Sequence, residues 1–329
     1  MPDPQPLPAT SDATLVRELS EEALLARIVP LLPRGDATLL PPGDDAAVVG
    51  APDGRFVVTT DVLVEDRHFR RRWSSGADVG RRAAVQNLAD VAAMGAVPTA
   101  LVVALAVPGD LPVAWVEGLA RGLADVCAPL GVGVVGGDLS GAPLVVVSVA
   151  AHGDLEGRAP VLRSGARVGD VVAHAGVLGR SGAGLALLAA GLEDVDAASV
   201  AGYLRPDAPL AAGPAAAAAG ATAMLDVSDG LLRDGGRLAR ASGVVLDLRR
   251  EALVGDVDRL AAAADAVGGR ALDWVLGGGE DHGLLATFPP DVALPAPFRA
   301  VGTVRAGEPG VLLDGAEPDA PPGWDHFGG

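Results

Sequence analysis

Short apolar runs bounded by turn residues recur along the chain, alternating with stretches whose apolar positions fall three and four apart. The runs predict strands at 56–61, 101–107, 132–135, 144–150, 171–174, 244–248 and 283–288. After Pro112, the residues Val116, Leu119, Leu123, Val126 and Leu130 keep helical spacing until Gly131 stops them. A second helix is expected to open near Asp78 and close at Gly95, with Pro98 beyond. Val85, Leu88 and Ala92 form its apolar face, which leaves Asn87 and Asp90 together on another. A third helix begins after Ser228 and Asp229, either of which would cap it. The Ala- and Gly-rich segment 211–223 reads as a closely packed helix.

Strands alternating with helices predict an α/β or α+β protein. The turn-rich stretch HGDLEGRAPVLRSGARVG, 152–169, separates two halves that each carry strands and helices. The expected organisation is a flexible Pro-rich tail at 1–17, an N-terminal domain at 18–152 and a C-terminal domain at 153–329. The N-terminus has neither the basic start nor the apolar centre of a signal sequence. Apolar runs such as 100–107 lie between prolines and are too short to span a bilayer, so a soluble cytoplasmic protein is expected.

Charge narrows the chemistry. The chain has 42 acidic residues against 25 basic ones, all of them arginine, for a net charge of −17. Without lysine there is no Walker-type phosphate loop and no Schiff base. Such a surface repels nucleic acid and anionic lipid; an anionic substrate would need cations between itself and the protein. Cys127, the single cysteine, reads as a small buried helix residue, which excludes a disulfide framework. The five histidines are scattered and no GxSxG occurs, so a Ser-His-Asp hydrolase is excluded.

Gly and Asp gather where apolar runs end: GDD at Gly43, Asp44 and Asp45; TTD at Thr59, Thr60 and Asp61; Asn87 with Asp90; GGD at Gly136, Gly137 and Asp138; DVSD at Asp226, Ser228 and Asp229; GGGED from Gly277 to Asp281. Each alone is an ordinary turn signal. Together they deliver carboxylates and hydroxyls to strand ends, with Thr59 and Asp61 on one face by alternation. Oxygen donors without His or Cys suit magnesium rather than zinc, and glycines let phosphate approach main-chain amides. The residues therefore predict a phosphate-handling site with several magnesium ions. Arg163, in a turn-rich stretch, is a candidate phosphate contact, whereas the Gly-rich 176–188 lacks GxGxxG and reads as helix packing. In TTDVLVEDRHF, Glu65 and Asp66 read as solvated loop acids.

In order, GDDAAVV, TTDVLVEDRHF, NLADVAAMGA, GGDLSG, LRSGA, YLRP, DVSDGL, GGGEDH and the GWDHF ending resemble the thiamine-monophosphate kinases, within the superfamily of aminoimidazole ribonucleotide synthetase. That resemblance implies two α/β domains, nucleotide between them, dimerisation through N-terminal sheets, and ATP-dependent phosphorylation of thiamine monophosphate by direct in-line transfer. By it, Asp45, Thr59, Thr60, Asp61, Asp90, Asp138, Asp226 and Asp229 match magnesium ligands, with Asp61, Asp90 and Asp229 assisting transfer. Gly137, Asp138, Arg163 and Ser228 match ATP contacts. His68, Glu280 and Trp324 match thiamine contacts, with Phe69 beside His68. Arg67 and His282 stand where the family commonly has a small residue and a tyrosine. The alternatives are another ATP-dependent member of the superfamily, or a non-catalytic nucleotide or metal sensor. Selenophosphate synthetase chemistry lacks its reactive Cys and Lys here, and the HFGG end lacks the cysteine of a hydrogenase-maturation relative.

Overall fold

The computed structural model describes residues 14–41 and 46–324, so Asp45 and the residues after Trp324 lie outside the described residues. Strands β1 (Thr38–Leu40) and β2 (Val48–Val49) form a small antiparallel ladder. Strands β3 (Val57–Val64), β4 (Val97–Val107), β5 (Gly133–Gly141) and β6 (Val146–Asp154) form a four-stranded sheet in the order β3-β6-β4-β5. Strands β7 (Val171–Ala175), β8 (Ala223–Val227), β9 (Val245–Leu248), β10 (Gly283–Phe288), β11 (Arg299–Arg305) and β12 (Gly310–Leu313) form a second sheet, ordered β12-β9-β11-β7-β10-β8. Most neighbours run antiparallel; among the described strands only β4/β5 and β9/β12 are parallel, which makes this a mixed α+β architecture.

The helix Gly76–Ala93 joins the two sheets. Ser75 caps it, accepting from Asp78 N at 3.3 Å while Asp78 returns a carboxylate to Ser75 N at 2.8 Å. It packs on β3, β4 and β6, beside the helix Val113–Cys127, and also touches β8 and β10. Leu88, Ala89, Val91 and Ala92 are fully buried. Asn87 and Asp90 share a face, as their spacing predicts, and that face meets β3: Asp61 N donates to Asn87 Oδ1 at 3.0 Å, and Thr59 Oγ1 to Asp90 Oδ2 at 2.8 Å.

Elsewhere the structure departs from the sequence expectations. GGDLSG continues β5 as strand instead of turning, because its backbone pairs with β4 from Gly136 to Gly141. β6 runs on to Asp154, past His152 where the turn-rich stretch was expected to begin. The third helix, Leu231–Ser242, has Gly230 at its cap without a side-chain bond, so neither Ser228 nor Asp229 caps it. Residues 14–17 are fastened: Val16 N donates to Leu111 O and Val113 N to Thr14 O, both at 2.8 Å. The 211–223 segment splits into the helix Ala212–Ala218 and the start of β8. Cys127 is buried, and burial pushes its thiol up to about 12, as expected of an inert core residue.

Candidate active site between the two sheets

β3 sorts its residues by alternation. Thr59 and Asp61 face the helix Gly76–Ala93, while Val58, Thr60 and Val62 face outward. The Thr60 hydroxyl donates to Val149 O at 2.9 Å on β6. From the other sheet, β8 brings Asp226 to its end and the following turn brings Asp229; both are buried. Asp229 N donates to Asp234 Oδ2 at 2.8 Å, and Arg237 lies 2.7 Å from the Asp229 carboxylate.

The acids of the two sheets feel one another. Burial raises the Asp61 carboxyl above its ordinary range; His282 opposes this, and Asp226, Glu280 and Asp229 reinforce it. Asp90 is pushed up to about 7 by burial and by the charges of Asp226 and Asp61, against the Thr59 hydroxyl bond and His282. Thr59, Asp61, Asp90, Asp226 and Asp229 thus lie together, the part of the expected magnesium ligands that the fold brings near one another.

The turn from Gly277 to His282 supplies the neighbouring groups. Glu280 N donates to Ser228 O at 2.7 Å and His282 N to Val227 O at 3.1 Å, which lays this turn against DVSD. A Cβ at Gly279 would stand 2.4 Å from Ser228 O, so the close approach requires glycine there. Glu280 and His282 take positive φ values of 68° and 52°. His282 places Nδ1 3.5 Å from Asp226 and Nε2 3.6 Å from Glu280. Burial works to lower its pKa, but Asp226 and Glu280 outweigh burial and push it up to about 10. His282 is therefore a cation near neutral pH, set among the acids. Burial likewise works to raise Glu280, but Arg82 and His282 hold that carboxylate well below the usual range.

Glu280 also walls a cavity of about 350 Å³ lined by Arg67, His68, Trp73, Arg82, Tyr203 and Trp324 among others. All three residues proposed for the thiamine portion, His68, Glu280 and Trp324, meet there. Trp324 is held by its main chain, whose N–H donates to Asp229 O at 2.9 Å. Phe69 lines the same cavity, but at 1 % exposure its ring packs on Trp115 with a centroid separation of 6.4 Å, so it backs the wall from the core. Glu65 also departs from expectation. It is buried, accepts Val145 N at 3.0 Å and pairs with Arg71, so it is a structural acid and not a solvated one.

Gly137 and Asp138 stand apart. Asp138 pairs in register with Ala104 and carries its side chain on the exposed face of the first sheet. Both line a cavity of about 620 Å³ there, with Phe56, Val102 and His152. The glycine has its own local reason, since a Cβ at Gly137 would meet Val103 O at 1.9 Å. Arg163 is exposed beside the start of β8, its carbonyl accepting from Ser242 Oγ at 2.7 Å. Ser228 lies between the two clustered aspartates.

Comparison with known proteins gives this arrangement its family. The family model for the N-terminal domain of AIR synthase related proteins matches residues 43–155. A thiamine-monophosphate kinase from Mycobacterium tuberculosis is 50 % identical over 320 residues, covering 97 % of this chain and 95 % of that protein. The chain belongs to the thiamine-monophosphate kinase family. The kinase from Aquifex aeolicus is 36 % identical over 289 residues, 87 % of this chain and 92 % of that one. A crystal structure described as AaThiL complexed with AMPPCP and TMP superposes with a TM-score of 0.77 at 34 % identity, covering 96 % of this chain and all of that one. Hydrogenase maturation protein HypE, 18 % identical with a TM-score of 0.72 over 90 % of this chain and 94 % of its own, shares the fold. Membership in the thiamine-monophosphate kinase family makes the protein a kinase. Among the described residues no helix is long and apolar enough to cross a membrane.

Arg82, Tyr203 and the cationic His282 were not picked out as functional by sequence reasoning. Arg82 carries no signal beyond lying on a helix of small apolar residues, and its partner is 198 positions away. His282 was visible only as a departure from the family's tyrosine.

Proposed function

We propose that this chain transfers the γ-phosphoryl group of ATP to thiamine monophosphate, giving thiamine diphosphate, in the cytoplasm and as a homodimer. The observation that carries the reading is the convergence of acids from both sheets beside a cavity walled by His68, Glu280 and Trp324, with Glu280 common to both.

Among the described residues no group of three or more His, Cys, Asp or Glu stands arranged to hold a metal ion by itself. Magnesium needs none, since it keeps its waters and takes one or two carboxylates together with substrate phosphates. An oxygen-only donor set in which burial raises the Asp61 and Asp90 carboxyls fits such an ion. Asp45, Thr59, Thr60, Asp61, Asp90, Asp138, Asp226 and Asp229 would hold several; the Thr60 hydroxyl, donated to Val149, is the member this geometry favours least. When bound, the ions supply the positive charge that lets two polyanions meet.

The protein's own residues do the rest. Asn87 fixes the backbone of Asp61, and Thr59 orients Asp90. Glu280 and Trp324 seat the ring system, Trp324 offering a flat face to the pyrimidine. Gly137, Asp138, Arg163 and Ser228 are proposed for the nucleotide. The acceptor is a phosphate monoester with a second pKa of about 6, so it is already a nucleophile near neutral pH and needs no general base. Purified protein with ATP, magnesium and thiamine monophosphate should form thiamine diphosphate and ADP in equal amounts. Absence of product would overturn the reading, and a covalent phospho-enzyme trapped with ATP alone would overturn direct transfer.

The dimer is proposed from the outer face of the first sheet, where Phe56 and Val58 are each 59 % exposed and Val62 is 44 % exposed. It also addresses the position of Asp138. β5 lies three strand spacings from β3, roughly 14 Å, and Asp138 faces away from Asp61, so one chain does not bring them to a common ion. β3 and β5 are the two edges of the first sheet, and we propose that they meet across the dimer, so that each site is completed by β5 of the second copy. Mixing inactive Asp61→Asn and Asp138→Asn variants should then restore roughly a quarter of wild-type activity, because half of randomly paired dimers are mixed and each regains one intact site. Mixtures that stay inactive after verified subunit exchange would place Asp138 in the same chain's site or outside it.

A further inference from the structure

We infer that Arg82 and Tyr203 are positioning residues for thiamine monophosphate: together they fix Glu280 and His68 as facing walls of the ring cavity. The inference rests on the reading above that this cavity takes the thiamine portion.

Arg82 is 3 % exposed on the inter-sheet face of the helix Gly76–Ala93. Its Nε and Nη2 donate to the same oxygen, Glu280 Oε2, at 3.1 and 2.6 Å. Oε1 of the carboxylate is thereby left to a ligand donor, and the Glu280 side chain keeps 31 % of its exposure. The Arg82 guanidinium also lies 4.9 Å from the centre of the Tyr203 ring. Tyr203, the only tyrosine in the chain, lies in the last turn of the helix Ala197–Leu204 and is buried. Its hydroxyl donates to the main-chain oxygen of His68 at 3.4 Å, and its ring makes a T-shaped contact with Trp73 at 6.3 Å. His68 follows β3 of the first sheet and Glu280 precedes β10 of the second. Arg82 and Tyr203 span the gap between them.

The placement also ties ring to phosphate. Arg82 stands two turns before Asp90 on one rigid helix, about 12 Å along its axis. One element thus sets the cavity wall and one corner of the acid cluster, which fixes where the ring lies relative to the transferred phosphate. Lysine would keep the charge at position 82 but lose the fork that engages Glu280 and the plane that stacks on Tyr203.

Steady-state kinetics test this. Arg82→Gln should raise KM for thiamine monophosphate about tenfold or more while KM for ATP stays within about twofold, and Arg82→Lys should fall between. Tyr203→Phe, which keeps the ring but loses the bond to His68, should raise the same KM about two- to threefold. A folded Arg82→Gln protein whose two KM values rise together, or whose KM for thiamine monophosphate does not move, overturns the inference. If Arg82→Gln does not fold, Arg82→Lys decides by the same criterion, a rise of about threefold confined to thiamine monophosphate being the supporting result. Glu280→Gln separates the two levels. If it raises KM for thiamine monophosphate while Arg82 variants do not, the positioning role fails alone; if it leaves that KM unchanged, the reading of the cavity fails and takes this inference with it.

Discussion

Replacing Asp61 by asparagine is expected to lower kcat/KM for phosphoryl transfer by about a thousandfold or more and to raise the melting temperature of the metal-free protein. The two effects share one cause. Asp61 is held among acids: burial raises its carboxyl, with Asp226, Glu280 and Asp229 adding to the effect and only His282 relieving it. Without a cation that carboxylate costs stability, because it is desolvated and repelled. With a cation and phosphates present, the proposed role makes it the group that joins them. Asparagine keeps the shape and the main-chain bond to Asn87, so the fold has no reason to fail. A residue that helps only the fold would lose activity and stability together. Kinetics with saturating magnesium, alongside thermal melts in chelator, measure both. A kcat/KM within tenfold of wild type would remove Asp61 from the phosphate-handling set.

Asp61 was also the most legible member of that set, and the reason is physical. Alternation along a strand is a local property, so VVTTD by itself puts Thr59 and Asp61 on one face. Helical spacing likewise pairs Asn87 with Asp90. What the chain does not declare locally is which partner each face meets. Glu65 reads as a loop acid until the Val145 amide and Arg71 close around it. Phe69 reads as a ligand contact beside His68, and only the fold shows it backing the cavity wall while packed on Trp115. GGDLSG reads as a turn by composition, yet pairing with β4 overrides that preference and carries Asp138 onto the outer face. Arg82 is the hardest case. A buried arginine on an Ala-rich helix is intelligible only once Glu280 and Tyr203 are placed beside it. Local patterns therefore mark where oxygen donors sit, while the long-range ion pairs decide how they are used.

The second large effect concerns pH. The metal-free protein should lose stability steadily as pH rises from about 5 to about 8, its melting temperature falling by about 5 °C or more. Asp90 and Asp281 are each pushed up to about 7, and Asp234 to about 6, from an ordinary value of 3.8, with burial the first cause in every case. Between the ordinary and the raised value the folded chain binds more protons than the unfolded one, so stability falls as pH climbs through that window. His282 acts in the same direction at higher pH. Its stabilising charge is fully present below the ordinary 6.5 and is lost as pH rises through about 10. Glu280 has the opposite sign: held low by Arg82 and His282, it stabilises above its ordinary 4.5, and that contribution fades only in acid. Magnesium with nucleotide should flatten the Asp90 part of the slope, since a bound cation keeps that carboxylate ionised, and Asp90→Asn should remove the same part without metal. Asp281 is not among the proposed ligands. Its Oδ1 accepts Ser181 N at 2.8 Å at the start of the helix Arg180–Ala190, so its share of the slope should persist with magnesium present and disappear in Asp281→Asn. A metal-free melting temperature that stays flat or rises over this range would show that these carboxyls are not raised, and would take with it the case for a cluster awaiting cations.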